Sequence, residues 1–157
     1  MTQETEKLHY EDVVAGRTVT FGRKVVTKEE IVAFARTFDP QPFHLDEEAA
    51  KTSMVGRLCA SGWHSCTMLM RMLADDVLGH AAALGSPGVE QAKWMKPVVP
   101  GDVLSARYTC LDKRPLRSRP GVGICRLSIE MLNRNGETVM SWETSQFLRL
   151  RRPDAQS

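Results

Sequence analysis

The stretch from Phe34 to Met72, FARTFDPQPFHLDEEAAKTSMVGRLCASGWHSCTMLMRM, decides how the rest of the chain is read. It opens as a helix, because Ile31, Phe34, Ala35 and Phe38 recur at the i, i+3, i+4, i+7 spacing of one helical face. Thr27-Lys28-Glu29-Glu30 in front of it has the form of a capping box, hydroxyl and carboxylate each serving the other's backbone N–H. Pro40 disfavours helical geometry at Asp39, so the helix should stop there and hold the Asp39 carboxylate at a fixed end. Pro40 and Pro42 stiffen the loop that follows, which carries His44 and Asp46. Residues 46–51 read as a short helix with acids in its first turn, where the dipole favours them. A longer helix begins near Ser61-Gly62, with Cys59, Trp63, Cys66, Met70, Leu73 and Val77 as an apolar stripe. Met68, Leu69 and Met72 widen that stripe, so the helix should be heavily buried, with Gly79 marking its end.

On the N-terminal side, Met1 to Tyr10 reads as a mobile or peripheral lead-in, and Thr18 to Val26 as extended chain interrupted at Gly22. On the C-terminal side the texture changes to strands. Pro87 to Met95 and Val103 to Leu111 flank a rigid turn, Lys96-Pro97-Val98-Val99-Pro100-Gly101-Asp102. Arg114 to Gly123 reads as a basic loop, and Gly121-Val122-Gly123 within it as a turn, since no helix pattern follows to make it a phosphate loop. Cys125, Leu127, Ile129 and Met131 alternate with polar residues as in a half-buried strand. Asn135-Gly136 marks a hairpin, and Thr138 to Leu150 returns with Met140, Trp142, Leu148 and Leu150 on one face. Helices first and an antiparallel meander after them make the class α+β: a curved sheet wrapped around one long helix. Its open edges invite pairing with a second copy.

The chain has 157 residues, enough for one domain, with a core over about 10–150 and a polar tail at 151–157. A formal net charge of +2 calls for no nucleic-acid partner. Basic residues do gather at Lys93, Lys96, Arg107, Lys113, Arg114, Arg117 and Arg119, either as a solvated face or as a landing site for a small phosphorylated ligand. The first residues lack an apolar signal core, and no apolar run reaches the roughly 18 residues of a membrane span, so no membrane partner is expected. The four cysteines show no Cys-x-x-Cys spacing, which points to reduced thiols and a cytoplasmic location. His44, Asp46, His64 and Cys66 match no common metal-site spacing.

The run from Phe34 to Asp46, with Asp39, His44 and both prolines, resembles the hydratase signature of MaoC-like dehydratases and (R)-specific enoyl-CoA hydratases. Cys59-Ala60-Ser61-Gly62, the turn from Lys96 to Asp102, and Asn135-Gly136 are similar to further features of that family. The resemblance runs from about Tyr10 to Leu150. It implies a hot-dog fold, a homodimer or higher oligomer, acyl-CoA thioesters as substrates within fatty acid metabolism, and neither a metal nor a redox cofactor. It places the family's catalytic aspartate on Asp39, its histidine on His44, and on Gly62 the glycine whose N–H polarises the thioester carbonyl. The chain departs from the pattern at Phe38, at Gln41, and at Met70, where some members carry a serine.

Hydration of a 2-enoyl thioester must take a proton from water attacking C3, give one to C2, and hold the charge growing on the thioester oxygen. Asp39 and His44 can bracket one water, and the sequence leaves open which residue takes which proton. The Gly62 N–H at a helix start offers a free donor for the oxygen. Ser61 reads as the N-cap of the long helix and a neighbour of the substrate, not a nucleophile. His64 reads as a packed residue, and Trp63 as core that also walls an acyl tunnel. Lys93, Lys96, Arg117 and Arg119 are candidates for the phosphates of CoA. A hot-dog acyl-CoA thioesterase and a non-catalytic acyl-CoA-binding module compete with the hydratase. Thiol release would mark the first, and binding without turnover the second.

Overall fold

The computed structural model describes residues 6–153. Strand β1 (Thr18–Val25) leads into helix α1 (Lys28–Phe38), two single-turn helices α2 (Pro42–Leu45) and α3 (Glu47–Ala50), and the long helix α4 (Gly62–Asp76). Strands β2 (Ala83–Gly85), β3 (Val89–Trp94), β4 (Val103–Pro115), β5 (Val122–Leu132) and β6 (Thr138–Arg149) follow. All pairings between these strands are antiparallel, in the order β1-β4-β5-β6-β2, with β3 also on β6. β1 and β3 each pair with one neighbour and are therefore edges. The sheet curves around α4, which is the hot-dog fold.

The core lies between α4 and the inner sheet face. Leu69, Met72 and Leu73 meet Leu104, Ile129, Met131 and Met140 there. The expected inward residues of β5 and β6 are buried at Cys125, Ile129, Met131, Met140, Trp142 and Leu148, as is Leu150 just beyond β6, while Leu127 is half-buried. Gly22 sits at a register shift in β1 with φ of +78°, and a Cβ there would fall 2.5 Å from Met72 Sδ. The position therefore needs glycine both for its backbone and for the close approach of α4.

Four expectations are corrected. The stripe assigned to α4 holds at Met68, Leu69, Met72 and Leu73 but not at Trp63 and Met70. Its buried residues are His64, Ser65, Met68, Leu69, Met72 and Leu73, while Trp63 is 63% exposed and Met70 42%. Similarly, α1 buries Ile31 and Ala35 but leaves Phe38, its last residue, 71% exposed against Phe34. His44 sits on a helical turn instead of a loop: Pro42 at the first helical position fixes the φ that starts α2. The lead-in is not peripheral from Leu8 onward. Leu8 bridges to Ala81, and Tyr10 packs so closely on Gly123 that a Cβ there would lie 2.2 Å from the ring. Met1 to Thr5 and the end of the polar tail lie outside the described residues. No described helix is long and apolar enough to cross a membrane.

Candidate active site

The capping box of α1 forms as read: Thr27 Oγ1 accepts from Glu30 N, and Glu30 Oε2 accepts from Thr27 N. At the other end Asp39 is the C-cap, its N–H donating to Ala35 O at 2.9 Å. Two side chains donate to its carboxylate, Gln41 Nε2 to Oδ1 at 2.6 Å and Ser61 Oγ to Oδ2 at 2.7 Å. These donors bear on its titration. The Ser61 hydrogen bond holds the Asp39 carboxyl below the usual carboxylate range, against the raising effect of burial, with help from Gln41 and the neighbouring His44.

His44 is 7% exposed and lies 2.7 Å, through Nδ1, from Cys59 O. A carbonyl only accepts, so Nδ1 carries a hydrogen. In the neutral ring Nε2 is then left with its lone pair, 3.4 Å from Asp39 Oδ2. A water placed against both atoms meets two acceptors, one a carboxylate already bonded on both oxygens and one an imidazole nitrogen free to take a proton.

Ser61 is the N-cap of α4, as expected, accepting from Trp63 N at 3.3 Å while donating to Asp39. Its hydroxyl is thereby shared between helix and carboxylate, which ties the two halves of the site together. Gly62 is the first residue of α4, so its N–H has no carbonyl within the helix to bond and stands at the positive end of the dipole. The segment before α4 is anchored by Ala60 N donating to Val98 O at 2.8 Å. The proline-bearing turn after β3 thus forms the opposite wall.

Asp39, His44 and Gly62 line one cleft of about 390 Å³, with Gln41, Trp63, Trp94 and Lys96. Lys96 is also ion-paired with Glu137. The other basic candidates stand apart from the cleft within one chain. Lys93 pairs with Ser141 and alternates with Ala92 and Trp94, which puts it on the outer sheet face beside Gln91 and Glu130. Arg117 and Arg119 lie in the connection between β4 and β5, at the far end of the hairpin. The strand from Met131 to Gly123 alone spans about 27 Å at roughly 3.4 Å per residue. His64 is outside the cleft: it is buried, stacked on Phe34 at 4.8 Å, and 3.7 Å from Glu30 Oε1. Burial pushes its pKa below the usual histidine value, against the raising effect of Glu30.

A family model for the MaoC like domain matches residues 11–130. The chain belongs to the MaoC-like dehydratase family. The MaoC-like dehydratase from Rhodospirillum rubrum has the same fold, with a TM-score of 0.87 at 39% identity over 92% of this chain and 99% of that one. The uncharacterized protein YdeM of Bacillus subtilis is 27% identical over 79% of this chain and 86% of its own. The 3-hydroxybutyryl-CoA dehydratase of Methylorubrum extorquens is 27% identical over 76% of this chain and 74% of its own.

Sequence reasoning missed the partners that set the MaoC-like site. Cys59 O, which fixes the ring of His44, is a backbone acceptor and leaves no trace in side-chain identity. Gln41, a departure from the family pattern, donates to the Asp39 carboxylate. Trp94 passed as an ordinary strand residue, and its indole lies directly on Gly62.

Proposed function

We propose that this protein is a hydro-lyase that reversibly adds water to a 2-enoyl-CoA to give a 3-hydroxyacyl-CoA, with (R) stereochemistry. The observation that carries the reading is one arrangement: Asp39 Oδ2 and His44 Nε2 stand 3.4 Å apart, in a cleft also lined by Gly62, the first residue of α4. In this reading His44 Nε2 takes the proton of water as the oxygen attacks C3. Asp39 stays ionised, positions the water and stabilises the imidazolium that forms. The protonated ring then supplies the proton to C2. The Gly62 N–H holds the oxygen of the thioester as charge grows on it. Family membership and the name of the Methylorubrum relative support acyl-CoA as the substrate class. Lys96 at the cleft rim is the basic residue placed to meet the CoA end. The working unit is a homodimer in the cytoplasm, since β3 is a free edge and exposed Phe38, Trp63, Trp94 and Met95 cluster around it and the cleft.

The test is one reaction followed two ways. With crotonyl-CoA and longer or branched 2-enoyl-CoA esters, absorbance of the conjugated thioester should fall without release of free thiol. Thiol release at the rate of absorbance loss would make the protein a thioesterase. Saturable binding of the esters with neither signal would make it a binding module.

A further inference from the structure

Gly62 begins α4, and glycine is a poor residue for a helix. Its backbone does not demand glycine either, since it is absent from the positive-φ residues. The cause is a neighbour. The indole of Trp94, at the end of β3, lies across the first turn so closely that a Cβ on residue 62 would sit 2.6 Å from Cε2 and 2.8 Å from Nε1. The same indole donates from Nε1 to Gly62 O at 2.9 Å. Trp63, next in the helix, meets the indole edge-on, with ring centroids 5.5 Å apart. The first turn of α4 is therefore clamped to the sheet by one side chain, through a hydrogen bond and a steric fit that only glycine allows.

We propose that Trp94 is a positioning residue for the reaction: it fixes the Gly62 peptide so that the helix N-terminus faces the thioester oxygen. The proposal rests on the hydratase reading for its catalytic half and on the Trp94–Gly62 contact for its structural half. Small misplacements of a catalytic group cost large factors in rate, so a donor held by a rigid indole is worth more than the same N–H on a fraying turn. The glycine at 62 then serves first to admit Trp94.

Two measurements test this on the full chain, each variant being checked by sedimentation for unchanged assembly. First, Trp94→Phe keeps an aromatic ring but removes the donor. It should lower kcat for 2-enoyl-CoA hydration by about 10-fold with KM within about two-fold, because the interaction matters in the transition state. A kcat within two-fold of wild type overturns the proposal. So does a raised KM at unchanged kcat, which would make the indole only a binding wall, or a change of assembly. Second, Gly62→Ala should lower Tm by about 5 °C in the Trp94 protein, as overpacking does. In a Trp94→Ala background the same change should have no effect or raise Tm, since the clash is gone and alanine favours helix. Equal losses in both backgrounds overturn the proposal. If wild type hydrates no 2-enoyl-CoA, the hydratase reading fails by itself, and the Tm comparison alone decides whether Trp94 holds the turn.

Discussion

Asp39 is held by Gln41 and Ser61, and Ser61 has the larger effect on its titration. Because the folded pKa is depressed, the ionised carboxylate contributes stability above the unfolded value, and that contribution is lost as pH falls through the folded value. Ser61→Ala removes the main cause. It should raise the pH at which the Asp39 carboxyl titrates, read directly by NMR of labelled aspartate, and it should cost about 1 kcal/mol of stability through loss of the N-cap. An Asp39 titration that stays in place would detach Ser61 from it. Burial pushes the Cys125 thiol up to about 12, with a further push from Cys110, so neither thiol should react with an alkylating reagent at pH 8 in the folded protein. Mass spectrometry after brief labelling checks this. At this scale the positions of the candidate residues were legible, since the place of Asp39 follows from the helix stop at Pro40 and that of Gly62 from the helix start. What was not legible depends on contacts between segments distant in sequence, such as Cys59 O with His44 and Trp94 with Gly62.

Helix α4 shows how far periodicity reaches. The apolar residues that announced the helix cover most of its circumference, so their spacing fixes its existence but not its rotation. The structure turns Leu69 to the core at 0% exposure and Met70 outward. Leu69→Ala should therefore cost about 2–5 kcal/mol by denaturant unfolding. Met70→Ala, one residue on, should cost under about 1 kcal/mol. Equal losses would mean that the helix is rotated from its observed position. The strands were easier to read, because alternation assigns each residue to a face and leaves no such freedom. Their lengths were less legible: β4 runs on to Pro115, and the register shift between Cys110 and Asp112 lies in a stretch where the alternation fades.

In the whole molecule, the α+β order of helices and meander made the wrapped sheet legible, and the free edges β1 and β3 follow from it. The location of Arg117 and Arg119 was not legible, because nearness in sequence to a site strand says nothing about which end of a long hairpin a residue occupies. The apolar rim of Phe38, Trp63, Trp94 and Met95 next to edge β3 predicts assembly. Sedimentation at micromolar concentration should give at least twice the chain mass of 17.6 kDa, and a fully active monomer would contradict it. The cleft is the meeting point of these scales, and its central claim is that Asp39 and His44 act on one water. The most direct measurement is kcat for hydration of a 2-enoyl-CoA by Asp39→Asn, with circular dichroism to confirm the fold. The account predicts a loss of about 10²–10⁴ in a folded protein; full hydratase activity in a folded Asp39→Asn protein would contradict it.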